Sequence, residues 1–350
     1  MKIKLSILAL SILSINQASA YELTDNFALG MYGSAGYGQL EQDDNDFTAI
    51  ESSTNAYLEV TVKEHFKLMA DYNFQTLDLD EEGSESMSGG DIYQGYAQFE
   101  NKALDIKVGR FADFNAKGYN NLNLSDKMIK STVTERAVFA ASVISTIDGV
   151  SFGYSNPIYG GVFESTIYGG VNTQKDSNLD DSLKTESGLF GLNFDLKTEN
   201  HGFLVGFKYS DYSDGFTSEI YSTEEDFNKF TAFFTYNYIN EYFFFDGSYQ
   251  YDYFDLGGEI AIEDEDGNEE RVPADDQYIV DVKLGTNIAG FKPYIGFNQY
   301  RFKEEKALNT TSVGVKYDYK GFGFLAEARK EEMKDQNDNE IIFGQIFYNF

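Results

Sequence analysis

Between residues 242 and 253 the chain separates by parity: Phe243, Phe245, Tyr249, Tyr251 and Tyr253 on one side, Asp246, Ser248, Gln250 and Asp252 on the other. A period of two is the signature of a strand with two unlike faces. Residues 311–320 repeat it, with Val313, Val315, Tyr317 and Tyr319 against Ser312, Lys316, Asp318 and Lys320, and 56–62 set Leu58, Val60 and Val62 against Tyr57, Glu59 and Thr61. Reading the whole chain this way predicts sixteen strands, at about 27–40, 54–63, 66–77, 91–100, 103–111, 147–155, 162–173, 185–197, 202–210, 227–240, 242–254, 277–289, 291–302, 310–320, 322–330 and 341–350.

The connections between these strands alternate in length. Short ones fall at 64–65, 101–102, 156–161, 198–201, 241, 290 and 321, and long ones at 41–53, 78–90, 112–146, 211–226, 255–276 and 331–340. An even number of strands with short turns at one end and long loops at the other is the plan of a transmembrane β-barrel. The fold expected is therefore all-β: an antiparallel barrel of about sixteen strands spanning 21–350. At that size the side chains cannot fill the interior, which predicts an aqueous lumen.

Composition narrows the picture. The chain has 31 Phe, 26 Tyr and 32 Gly with only 3 Pro, a mixture suited to strands and tight turns. It has no Cys, which excludes disulfide and zinc-ribbon scaffolds, and 27 basic against 58 acidic residues, a charge of −31 that excludes nucleic acid as a partner. Residues 1–20 combine Lys2 and Lys4, an apolar run over 5–15 and a small-residue end at Ala18-Ser19-Ala20. That is the form of a secretory signal peptide cleaved after Ala20, and its apolar run is too short to span ~30 Å of hydrocarbon.

The charge is not spread evenly. Loops 41–53, 78–91, 211–226, 255–276 and 331–340 hold five, six, six, ten and five acids, 32 in all, against only Arg271 and Lys334. One end of the barrel thus carries nearly all the excess charge, and fields from clustered like charges add. The strand faces assigned to the lumen wall are mixed instead, with Glu59, Asp71, Asp105, Asp281, Asp318 and Glu327 among Lys67, Lys107, Arg110, Lys283, Lys316 and Arg329. The longest loop, 112–146, departs from its neighbours: Asp113, Asp126 and Glu135 stand against Lys117, Lys127, Lys130 and Arg136. A near-neutral loop among acidic ones implies a different environment.

Little in the sequence points to catalysis. The two histidines, His65 and His201, fall at predicted short turns, away from any substrate-accessible serine or carboxylate pair. The acidic runs 263–270 and 335–340 lack the spacing of a twelve-residue calcium loop, and glycine-dense 30–38 opens no helix that could hold a phosphate. No enzyme activity, cofactor or defined metal site is expected.

The stretches Gly95-Tyr-Ala-Gln-Phe and Ile106-Lys-Val-Gly-Arg-Phe, followed after a long gap by Val150-Ser-Phe-Gly-Tyr-Ser-Asn-Pro-Ile-Tyr-Gly-Gly, resemble the general porin family of Gram-negative outer membranes. The resemblance implies a trimeric, sixteen-stranded barrel in the outer membrane, in contact with lipopolysaccharide and built by the barrel assembly machinery. It also implies that loop 112–146 folds into the lumen as the constriction, so that Asp113, Lys117, Tyr119, Asp126, Lys127, Lys130, Glu135 and Arg136 line the pore. The last strand, with Ile346, Tyr348 and Phe350 in one parity class, is similar to the assembly signal of such proteins. The Pro-Glu-Phe-Gly-Gly stretch of enterobacterial porins is absent, so ion preference is read from the charges instead: cation-preferring at low salt. Three functions remain open: passive diffusion of small hydrophilic solutes, a sugar-specific channel with Tyr119 and Tyr294 stacking on the solute, or a surface adhesin.

Overall fold

The computed structural model describes residues 21–24, 26–42, 45–79, 87–113, 144–175, 184–212, 216–217, 222–223, 227–255, 259–263, 269–273, 276–302, 307–319, 322–333 and 339–349. The first half of the barrel holds β1 (Tyr21–Thr24), β2 (Phe27–Gln42), β3 (Asn45–Lys63), β4 (Phe66–Leu79), β5 (Met87–Glu100), β6 (Leu104–Ala112), β7 (Ile144–Ile158), β8 (Gly161–Lys175), β9 (Lys184–Thr198) and β10 (His201–Tyr212). The second holds β11 (Phe216–Thr217), β12 (Ser222–Thr223), β13 (Phe227–Ile239), β14 (Phe243–Asp255), β15 (Glu259–Glu263), β16 (Glu269–Pro273), β17 (Gln277–Thr286), β18 (Phe291–Phe302), β19 (Ala307–Tyr319), β20 (Phe322–Met333) and β21 (Asn339–Asn349).

Sixteen of these strands pair antiparallel in chain order, and the ring closes where β21 pairs β2, from Tyr32↔Asn349 to Glu41↔Glu340. Closure leaves no open edge, so every ladder hydrogen bond is made within the wall. Three features depart from the sixteen predicted strands. The four-residue β1 turns back onto β2 (Tyr21↔Leu29) and occupies the place below the end of β21. The expected loop 41–53 is largely strand, because β3 begins at Asn45 and pairs Gln42↔Asn45, placing part of its acid content on a tall hairpin. Loops 211–226 and 255–276 carry hairpins of their own, β11–β12 and β15–β16.

The short turns are built by local chemistry. Asn101 Oδ1 accepts from the amides of Ala103 and Leu104, and Asn240 Oδ1 from those of Tyr242 and Phe243, as side chains that mimic a turn. At the β17–β18 turn Ala289 (φ 52°) and Gly290 (φ 88°) both take positive φ between Ile288 and Phe291, the geometry that matches the twist of a hairpin.

Apolar side chains alternate outward along the barrel strands, among them Leu58, Val108, Phe152, Ile295, Val313 and Ile342. Near the short-turn end they give way to aromatics in contact: Phe66 with Phe99 at 5.0 Å, Phe203 with Tyr236 at 4.7 Å, Tyr238 with Phe243 at 5.0 Å and Phe291 with Tyr317 at 4.7 Å. An outward apolar band edged by an aromatic girdle is what a barrel wall presents to lipid.

Candidate functional site

The inward face is polar and charged, and its charges are paired across neighbouring strands. On β3–β6, Lys67 Nζ lies 3.6 Å from both Glu59 and Glu100, Gln98 donates to Asp105 at 2.7 Å, and Lys107 lies 3.4 Å from Asp105 and over the Tyr96 ring. Higher on the same wall, Asn73 donates to Asn55 at 2.8 Å and Asn55 to Asp71 at 3.0 Å. On β13 and β14, Asp252 accepts from Thr231 at 2.6 Å and sits 3.1 Å from Lys229. The β17–β20 wall carries Lys283, whose ammonium is 5.7 Å from the Tyr294 ring, and Glu327, which accepts from both Tyr294 and Arg329. Lys316 is buried on that wall.

Of the residues assigned to the lumen wall, Glu59, Asp71, Lys107, Lys316, Glu327 and Arg329 share this inward face with their register partners. Arg110 does not. It lies three residues beyond Lys107 on an unbroken strand, so it takes the opposite face, with Val108 and Ile106. There it pairs with Asp148 on the outside of the barrel, Nε to Oδ1 and Nη2 to Oδ2, both at 2.8 Å. Tyr294, named as a stacking candidate, is only 4% exposed and its hydroxyl is held by Glu327, so its ring face is not presented to a solute.

One region of the inner wall is apolar. Tyr96, Phe111, Ile147, Tyr168 and Leu189 form a cluster with Met69 packed against it, drawn from six consecutive strands, β4 to β9. Three glycines run through it in register, Gly109↔Gly149↔Gly170, between Tyr96 and Leu189. Gly109 has φ 128°, and a Cβ on Gly149 would stand 2.0 Å from the Gly169 carbonyl oxygen, so bare backbone is needed for the strands to approach here. Ile147 is 0% and Tyr168 1% exposed although both lie on the inward face of the wall.

Asp113 follows directly on β6. Its carboxylate meets Lys208 Nζ of β10 at 2.6 Å, with side-chain exposures of 3% and 12%. β6 and β10 are four strands apart, about 19 Å around the sheet at ~4.8 Å per strand. A direct contact over that spread spans a chord of the lumen: at Asp113 the chain turns in from the wall. Sequence reading had assigned Asp113 to the constriction but gave no sign of Lys208, because a pairing 95 residues apart leaves no local pattern.

Lys117, Tyr119, Asp126, Lys127, Lys130, Glu135 and Arg136 lie outside the described residues, as do residues 1–20 and Phe350. Ile346 pairs with Phe324 and Tyr348 with Phe322, in one parity class on β21. Of the two histidines, His65 is in the β3–β4 turn and His201 opens β10, where its Nδ1 is 3.0 Å from the Tyr236 hydroxyl. Among the described residues, no group of three or more His, Asp or Glu is placed to hold a metal ion.

No protein-family model and no curated protein matches the sequence. Solved structures do match the fold. OmpF of Salmonella typhi, solved with daunomycin, aligns with a TM-score of 0.61 at 14% identity, over 93% of this chain and 98% of that one. The anion-selective porin of Comamonas acidovorans gives 0.60 at 10%, over 93% and 100%. The trimer form of OmpT, an outer membrane protein of Vibrio cholerae, gives 0.57 at 10%, also over 93% and 100%. The class defined by this barrel is the outer-membrane porin fold.

Proposed function

We propose that the chain is an outer-membrane porin of the general type: a water-filled channel for passive diffusion of small hydrophilic solutes and ions. In this reading residues 1–20 direct export and are cleaved after Ala20. The barrel sits among outer-membrane lipid and lipopolysaccharide after insertion by the assembly machinery, works as a homotrimer, and carries no enzymatic activity. Its short turns face the periplasm and its long loops the exterior. The wall chemistry supports this: both signs of charge, held in cross-strand pairs, keep the interior wet without committing it to one solute.

The observation that carries the proposal is the Asp113–Lys208 contact, which brings the start of loop 112–146 off the wall and into the lumen. The loop leaves and rejoins the wall beside Phe111 and Ile147, both part of the buried apolar patch. An apolar seat and a nearly buried ion pair are what a segment folded inward needs: the first holds it to the wall by excluding water and the second fixes its direction. Sieving then occurs at this loop, with Lys117, Tyr119, Asp126, Lys127, Lys130, Glu135 and Arg136 as its lining, and the acidic outer loops bias entry toward cations. Deleting residues 117–130 tests it. A correctly folded deletion barrel is expected to conduct more and to admit larger solutes, and unchanged conductance with an unchanged size cutoff would refute the constriction.

A further inference from the structure

At the short-turn end the inward face carries a hollow between β9, β10 and β13. Its volume is about 290 Å³, at the small end of ligand cavities, which begin near ~300 Å³. The register explains why the wall is indented there. Lys197, Gly202 and Asn237 stand side by side on the three strands, and Asp195, Leu204 and Thr235 form the next inward row. Gly202 has no side chain to fill its row, and a Cβ built on it would come no closer than 3.8 Å to its nearest neighbour, the Asn237 amide. Lys197 and Asn237 are thus two strand spacings apart, ~10 Å, with open space between them.

The lining carries both signs of charge. Lys197 Nζ is 2.8 Å from Asp195 and 3.0 Å from Glu164. An ammonium has three N–H groups, so one is left for a further acceptor. Asn237 Oδ1 is buried without a hydrogen-bond partner, which is unfavourable until a donor reaches it. Glu199 in the turn adds a second carboxylate to that of Asp195, while Leu204 and Ile239 supply apolar ground. A simple anion would face two carboxylates here, and a simple amine would leave the remaining Lys197 N–H without an acceptor. A small molecule that carries both charges meets both needs.

We propose that this hollow binds a small zwitterion, an α-amino acid with a short aliphatic side chain. Its carboxylate accepts from Lys197, its ammonium donates to Asn237 Oδ1, and its side chain covers Leu204 and Ile239. An oligosaccharide does not fit a space of this size. Binding stands on the hollow alone. Its part in uptake, holding the solute at the short-turn mouth, rests on the channel reading.

The purified, refolded barrel in detergent is dialysed against radiolabelled L-leucine, beside variants whose folding is checked by heat-modifiability. Saturable binding in the millimolar range is expected. Gly202→Leu, which fills the hollow from its floor, should abolish binding, and Lys197→Met should weaken it at least tenfold through loss of a charge-assisted hydrogen bond. Isocaproate and isoamylamine, which are leucine without its ammonium and without its carboxylate, should each compete at least tenfold more weakly than leucine. Either one competing as well as leucine overturns the zwitterion. Absence of saturable binding, or binding indifferent to Gly202→Leu in a folded barrel, overturns the site. In planar bilayers, leucine added on the short-turn side is expected to interrupt the current of the parent and not that of Gly202→Leu. An uninterrupted parent current overturns the role in uptake, whereas a barrel that binds leucine with these preferences but passes no current removes the channel reading and leaves the site standing.

Discussion

Replacing Lys208 with Met tests whether loop 112–146 is latched to the far wall. The side chain keeps its length and loses its charge, leaving Asp113 facing inward at 3% exposure without the ammonium that lies 2.6 Å from it. Removing one member of a buried ion pair costs about 3–5 kcal/mol. With Lys208 at 12% exposure some water reaches the site, so a value nearer ~2–3 kcal/mol is appropriate. That cost falls on the latched state, since the strands on either side keep their ladders. At 1.36 kcal/mol per factor of ten, the population of the released loop rises roughly 30- to 150-fold. Where local opening is fast, proteolysis follows that population. Lys117, Lys127, Lys130 and Arg136 supply trypsin sites inside the loop. Cleavage there in the folded barrel is expected to accelerate by about the same factor, while Lys67→Met, which disturbs an exposed pair, leaves it unchanged. Asp113→Asn added to Lys208→Met should cost little more than either change alone, because both remove one interaction. A cleavage rate within twofold of the parent would refute the latch.

Gly149→Ala should lower the unfolding midpoint in heat-modifiability gels by the equivalent of roughly 2 kcal/mol or more, because its Cβ would meet the Gly169 carbonyl oxygen at 2.0 Å on a paired strand; Gly344→Ala, with nothing within 4 Å, should leave it unchanged. A chain ending at Asn349 is expected to insert more slowly into vesicles without a change in pore properties, and normal insertion kinetics would remove the assembly role of Phe350. Cation preference, read from reversal potentials, should be clear at low salt and fade at high salt, since rim charges act through water and are screened over ~10 Å at 0.1 M but ~3 Å at 1 M. A preference that persists at 1 M would move the responsible charge to the constriction.

Alternation made the wall legible. β18, with Phe291, Tyr294 and Tyr300 in their parity classes, starts and ends where the pattern does, and most other strands lie within three residues of their predicted bounds. The largest miss, at 41–53, has a physical cause: Thr48 and Ser52 on one face and Glu51 and Ser53 on the other are all polar where β3 rises above the apolar band, so periodicity fades while pairing continues. β1 was invisible because four residues hold too little pattern. Arg110 was misplaced by grouping it with nearby charges when strict parity from Lys107 already sets it outside. The unusual charge of loop 112–146 could be seen locally, but its partner Lys208 and the apolar seat at Phe111, Ile147 and Tyr168 exist only once distant strands are side by side.

The central claim is an open, loop-narrowed aqueous channel, and single-channel recording of the refolded protein in a planar bilayer addresses it most directly. The account predicts discrete steps with a linear current–voltage relation near zero voltage, a conductance that rises in proportion to bulk salt at high concentration, and a larger step after deletion of residues 117–130. A folded, inserted barrel that passes no current would contradict it.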